Sequence, residues 1–362
     1  MPNVLPFSLR VKVIAHLVEG TSIRATGRLL EVDKDAVMKL GVTVGLACLV
    51  LHDRLVKGLR CALLECDEVW AYVGRHQRRL LATDPATWGD RYTLFAIDPV
   101  SKLVPSFLTG RRDGDAALAF ARDLRARVTG KPQVSVDGWP GWPDAFHKAF
   151  GWNGVNLGAS VKEYENDATP KDPGRKYSPG RVKRVEKRAL LGMPDESLIS
   201  TSLAERVNLT TRMHQRRLTR LTNAYSKKPE NLTAAVALHF AWYNFVRVHE
   251  TIGTTPAVAA GLVEAPWSLA ELVAAALAVA EEQPEPPAPA PAPMGPPEPS
   301  GSPASLPSWE GWRPMTQTTL PGVDHAPAND VAPAAVDGGE SEGDDGPVTV
   351  RDPAPWGDRA AE

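Results

Sequence analysis

The sequence predicts an α/β protein: a mixed sheet flanked by helices, a small helical module ahead of it and a disordered tail behind it. Three observations predict this. Apolar residues recur at helical spacing through most of residues 8–48. Short runs rich in Val, Leu, Phe and Tyr then follow one another between 62 and 161, with one amphipathic helical stretch among them. Beyond Gln283 the composition becomes low-complexity, too poor in apolar surface to offset the entropy of ordering.

In RVKVIAHLVEG, Val11, Val13, Ile14, Leu17 and Val18 fall at helical spacing. Ser22 caps a second helix, SIRATGRLLE, and Asp33 a third, DKDAVMKLGVTVG. Three short helices with tight turns read as a helix-turn-helix over residues 1–50, with Lys34 and Lys39 at the front of the recognition helix.

ALLECDEVWAYVG (62–74) is the first strand, and RYTLFAID (91–98) with KLVPSFLTG (102–110) reads as a hairpin. RDGDAALAFARDLRARV (112–128) is helical, QVSVDGW (133–139) is a strand meeting a turn, and VNLGASV (155–161) is a further strand. Residues 162–195 are polar and read as a loop. Long helices are expected over 202–225 and 231–248, and another over 267–282 with Ser268 as cap. The α/β domain thus spans 58–282 and the tail 283–362.

Charge is divided unevenly. The chain has 41 Lys/Arg and 43 Asp/Glu, but residues 281–362 hold 15 acidic and only 3 basic residues, which leaves 38 basic and 28 acidic in the body. A basic body points to a polyanionic partner, in most cases nucleic acid. Cys48, Cys61 and Cys66 form no CxxC and no even set, so neither a zinc site nor a disulfide framework is expected, and a reduced cytoplasmic compartment fits. The longest apolar run, GVTVGLACLVL (41–51), reads as too short to span a bilayer, so no membrane partner is expected.

Three carboxylates sit inside the first strand: Glu65, Asp67 and Glu68. Strand alternation puts Glu65 and Asp67 on one face and Glu68 on the other. Burying such acids is costly unless they are paired or bind a metal. Asp137 stands at the end of QVSVD, where ligands of α/β sheets gather. Glu205 lies near the start of a helix on which Asn208 and Arg212 share its face, and Arg216 extends the basic character. Two aspartates and a glutamate from separate elements suit a pair of hard divalent cations, roughly 4 Å apart, clamping a phosphodiester.

These stretches resemble the DDE transposases, most closely the insertion-sequence-one type of bacterial transposase. The residues that carry the resemblance are CDEVWAYVG, the SVDG turn, TSLAERVNLTTRMHQRRLTRLTNAYSKKPEN and YNFVRVHETIGTTPAVAAGLVEAPWSL, which with the helix-turn-helix cover nearly all of 8–280. The resemblance implies a ribonuclease-H-like core with Asp67, Asp137 and Glu205 as catalytic and metal-binding triad. It implies two Mg2+ ions, with Mn2+ as a substitute, and a DNA contact at Arg212. Glu65 is then a candidate support for the site, and Glu68 a satisfied structural acid. The expected activity is cleavage and strand transfer on double-stranded DNA, at element terminal repeats and target, with self-association on DNA. The expected location is the cytoplasm of a bacterium, at the nucleoid when acting. The rival expectation is a decayed or domesticated transposase that only binds DNA.

Overall fold

The computed structural model describes residues 4–164, 182–220 and 222–282. The expected tail, 283–362, lies outside them. The first three helices form as expected: α1 (Phe7–Val18), α2 (Ile23–Leu30) and α3 (Lys34–Leu55). Ser22 Oγ accepts the Ala25 N–H at 3.2 Å, and Asp33 Oδ1 accepts those of Asp35 and Ala36 at 2.8 and 3.3 Å.

Six strands follow: β1 (Leu63–Val73), β2 (Gly89–Ile97), β3 (Ser106–Gly110), β4 (Gln133–Val136), β5 (Asn156–Tyr164) and β6 (Val182–Leu191). They make one mixed sheet in the order β3-β2-β1-β4-β5-β6. β1–β2, β2–β3 and β5–β6 pair antiparallel; β1–β4 and β4–β5 pair parallel. This is the mixed sheet flanked by helices that the ribonuclease-H-like expectation requires.

Alternation along β1 divides the core. Val69, Ala71 and Val73 pack with α3 and with two later helices, α7 (Pro229–Phe245) and α9 (Leu269–Glu282). Leu64 and Cys66 pack on the other face, with α4 (Gly114–Arg127) and α5 (Gly141–Phe150). The N-terminal helices join the first of these cores through Ile14, Val18, Val44 and Cys48. At the closest approach of α3 to α7, a Cβ on Gly45 would lie 2.2 Å from the Ala234 carbonyl oxygen, so only glycine fits.

Several expectations are corrected. Residues 162–195 are not simply a loop: β6 pairs there with β5, although 165–181 lie outside the described residues. VKRVEKRALL is charged and largely exposed along its length, as an edge strand is, so it carries no burial pattern to read. The helix expected over 202–225 ends early. α6 runs Ser202–His214, and Arg216–Leu218 form a 3-10 turn. Gln215 Oε1 accepts the Arg217 N–H, and Thr219 Oγ1 donates to the Arg212 carbonyl, so side chains compete for the groups that would continue the helix. α3 runs on to Leu55, across the expected boundary between module and α/β domain. By length and composition it is apolar enough to cross a membrane, contrary to the reading of its central run, yet its Val44, Ala47, Cys48 and Leu51 pack in the core. α9 begins as expected: the Ser268 hydroxyl accepts the Glu271 N–H at 3.2 Å, and the Glu271 carboxylate accepts the Ser268 N–H at 2.6 Å. The three cysteines are buried and free.

Candidate active site

The register of β1 and β4 builds the site. Leu63, Leu64 and Glu65 pair with Gln133, Val134 and Ser135. β4 ends at Val136 and Asp137 follows it directly, close enough to Asp67 for its negative field to raise the Asp67 carboxyl. The third acid comes from α6. Asn208, three residues after Glu205 on this helix, donates from Nδ2 to Asp67 Oδ2 at 2.6 Å. The structure therefore brings Asp67 and Asp137 together and ties the helix bearing Glu205 to them.

Each acid is already engaged. Asp67 Oδ1 accepts the Glu68 N–H at 2.8 Å. Burial pushes the Asp67 carboxyl up from its ordinary 3.8 to about 7, and the negative fields of Asp137 and Glu205 add to this against the pull of the Glu68 N–H and Lys162. Asp137 Oδ1 accepts the Trp139 N–H at 3.0 Å and the Trp142 indole N–H at 2.8 Å. Its Oδ2 faces Arg112 Nη2 at 3.5 Å. Glu205 Oε1 accepts the Thr201 hydroxyl at 3.0 Å and forms an ion pair with Lys162 of β5.

The other two acids of β1 have roles the sequence did not show. Glu65 Oε2 accepts the N–H groups of Leu203 at 2.8 Å and Ala204 at 3.0 Å, at the N-terminus of α6. The residue in the N-cap position, Thr201, makes no side-chain cap bond, so a glutamate from the sheet caps the helix instead. Burial raises the Glu65 carboxyl, while these N–H bonds pull it back. Glu68 is not the satisfied acid expected. Its Oε1 meets Arg112 at 2.5 Å, but its Oε2 is buried without a partner. Burial and then the field of Asp137 push it up to about 7, against the pull of Arg112.

Asp67, Asp137 and Glu205 are all-oxygen donors, the set hard divalent cations prefer. The negative field at Asp67 and the unpartnered Glu68 Oε2 mark a site short of positive charge, and Lys162 and Arg112 already sit on its acids. By chemistry and charge the residues fit such cations. As the side chains stand, no three of the acids converge on one point among the described residues.

The basic residues expected to meet DNA are placed as follows. Arg212 is half-buried, and its Nη1 donates to the Leu218 carbonyl at 3.0 Å. Arg216 is exposed in the 3-10 turn. Lys34 and Lys39 are exposed at the start of α3, Lys34 within 3.7 Å of Asp35, and neither has an ion pair with the three acids. The sequence reading passed over Lys162 and Arg112, and did not foresee the Trp142 indole as a donor to Asp137. Only the last had a local signal, a tryptophan five residues after Asp137.

No family model matches the chain, and no curated protein is similar to it. Solved structures similar to it include transposases. One is a piggyBac transposase synaptic complex with hairpin DNA, 12% identical, covering 76% of this chain and 70% of that one at a TM-score of 0.34. Another is the Mos1 strand transfer complex, 13% identical, covering 43% of this chain and 59% of that one at 0.19. A third is the Mos1 mariner paired end complex with Mn, 12% identical, covering 43% and 59% at 0.18. At these scores the likeness carries no weight of its own.

Proposed function

We propose that the chain is a DNA transposase of the DDE type, resembling the insertion-sequence-one group, that cuts and joins DNA strands at Asp67, Asp137 and Glu205. One observation carries this reading: Asn208 ties Asp67 to the helix bearing Glu205, with Asp137 near enough to Asp67 to act on its carboxyl. These three residues would hold Mg2+, or Mn2+ in its place, which when bound neutralises the phosphodiester and activates the attacking hydroxyl.

The remaining work falls to the chain's own side chains. Glu65 fixes the start of α6 and so the position of Glu205. Asn208 orients Asp67 through Oδ2. Burial raises the Asp67 carboxyl to about 7, so near neutral pH it is part protonated. Lys162 and Arg112 would transfer from the acids to phosphate oxygens as DNA enters. Arg212, Arg216, Lys34 and Lys39 would supply further phosphate contacts, making binding salt-sensitive. Self-association on paired element ends, and action at the nucleoid in a bacterial cytoplasm, belong to the same proposal.

The test is Mg2+-dependent nicking and strand transfer on duplex DNA carrying the sequences that flank the gene. Asp67→Asn, Asp137→Asn and Glu205→Gln should each abolish cleavage and leave DNA binding intact. An Asp67→Asn protein that cuts like the wild type overturns the assignment. A second reading, a chain that binds DNA without cutting it, is favoured by Lys162 and Arg112 neutralising the acids. The same assay separates the two, since that reading expects binding and no wild-type cleavage.

A further inference from the structure

A cavity of about 370 Å3 opens on the far side of α6 from the candidate active site. Leu203, Arg206, Val207 and Thr210 line it, and they recur at helical spacing along one face. At about 100° per residue, that face points about 180° away from the one shared by Glu205, Asn208 and Arg212. The facing wall is the end of α7 and the chain after it, with Tyr243, Arg247, His249 and Glu250. Lys102 joins the lining from the turn between β2 and β3.

Positive charge gathers here without matching acids. Lys102, Arg206 and Arg247 share the lining with one carboxylate, Glu250, and none of the three forms an ion pair among the described residues. Lys102 Nζ donates to the Pro99 carbonyl at 2.6 Å, and the Arg247 guanidinium lies 5.4 Å from the Trp242 ring, so neither contact brings a full negative charge. Arg247 Nη1 and His249 Nε2 are buried with no hydrogen-bond partner among the described residues. The field is felt at His249, which burial and then Arg247 lower to about 4, with Lys102 adding to this against a hydrogen bond to the Tyr243 backbone.

Lys102 is held at a backbone cost. Its φ of 62° lies in the left-handed region, which glycine enters freely and other residues seldom do. Strain of this kind persists where the surrounding structure fixes it, and it clusters at ligand sites. Two guanidinium groups and an ammonium suit a phosphate, which offers them several acceptor oxygens. The shape of the site favours a small molecule over a duplex. Its volume falls in the range of small-molecule cavities, roughly 300–1,000 Å3, and Leu203 and Val207 give it an apolar wall.

We propose that this cavity binds a small organic phosphate monoester. The site uses none of the acids of the candidate active site, and the proposal does not rest on the cleavage reading.

The test is isothermal titration calorimetry of the full chain in EDTA with phenyl phosphate, and with inorganic phosphate and benzoate for comparison. The wild type should bind phenyl phosphate one to one, and more tightly than either of the others. Arg247→Gln and Lys102→Gly should each weaken that binding by about tenfold. Lys57→Ala, which removes an exposed lysine outside the cavity, should leave it unchanged. Glycine relieves the strained φ at position 102, so a loss of binding there is not a loss of fold. Absence of phenyl phosphate binding by the wild type overturns the proposal. So does a Lys102→Gly protein, shown to be folded by circular dichroism, that binds phenyl phosphate as the wild type does. A surface serving the DNA backbone instead would give that second result together with weaker binding of duplex DNA, read by fluorescence anisotropy.

Discussion

Asp67 should cost the metal-free protein stability as pH rises, and Asp67→Asn should recover it. Its carboxyl is pushed up from 3.8 to about 7 in the folded chain, chiefly by burial. The folded state thus binds this proton more tightly than the unfolded state does. The stability it contributes is fully present below about pH 4 and is lost as pH rises through about 7. Three pH units correspond to about 4 kcal/mol at most; after discounting for the residual exposure of the group, about 2–4 kcal/mol is expected. Asparagine removes the ionisation and keeps the shape. It also has a partner waiting: Asn208 Oδ1 is buried without a hydrogen bond, and a flip of that amide lets it accept from the amide introduced in place of Asp67. At pH 8 in EDTA, Asp67→Asn should raise the melting temperature by about 4–8 °C. At pH 4 the two proteins should melt together to within about 1 °C. Adding Mg2+ at pH 8 should stabilise the wild type and not the variant. Calorimetry across pH 4–8 checks all three. A variant that melts lower than the wild type at pH 8, or a difference between them that does not change with pH, refutes the account of Asp67 as an acid held against its own desolvation.

Other consequences can be checked with the same protein. Glu65→Ala leaves the Leu203 and Ala204 N–H groups without their acceptor; it should cost about 2–4 kcal/mol in a urea titration and lower nicking by more than tenfold, while Glu65→Gln, which keeps one acceptor oxygen, should restore much of both. Gly45→Ala should destabilise by about 2 kcal/mol or more in the same titration, because its Cβ meets the Ala234 carbonyl oxygen at 2.2 Å; an unchanged midpoint would contradict that close approach. Asn244→Leu should cost about 1–3 kcal/mol by calorimetry, since the fully buried Asn244 amide accepts the Val104 N–H at 3.0 Å and donates to the Val104 carbonyl at 2.9 Å, and leucine leaves the N–H unpaired and the carbonyl with His52 Nε2 alone, 3.3 Å away.

What could be read from the sequence, and what could not, follows from the range of the forces involved. Period-two alternation correctly placed Glu65 and Asp67 on one face of β1 and Glu68 on the other, because it is a property of the strand itself. It could not say what covers each face. The Glu65 carboxylate meets a helix 138 residues further on, and Glu68 meets Arg112, a residue in the turn after β3. Asp137 was legible as an acid at a strand end, but its seat beside Asp67 is a matter of register between two strands about 70 residues apart, which no local pattern encodes. β6 was missed because an edge strand with charge on both sides reads as loop. α6 was overextended because helical periodicity continues through QRRLTRL, while the stop is made by the side chains of Gln215 and Thr219 acting on the backbone.

The charges of the site explain how Asp67 and Glu68 are held in the sheet beside the more exposed Asp137 and Glu205. Asp67, Asp137, Glu205 and Glu68 stand on three elements, and two basic side chains, Lys162 and Arg112, are shared among them. Lys162 comes from β5 and Arg112 from the turn after β3, so the acids at the sheet centre are compensated from both flanks. The compensation is incomplete: Glu68 Oε2 has no partner, and the carboxyls of Asp67 and Glu68 are both raised to about 7. Near neutral pH Asp67 and Glu68 are therefore each part protonated, so gain of a cation there would be coupled to loss of a proton. A site tuned only for stability would have replaced Asp67 and Glu68 with neutral residues of the same shape. Keeping them raised, with flexible basic side chains standing on their neighbours, suits the proposed function, in which the acids would hold a divalent cation and the lysine and arginine would be free to meet phosphate.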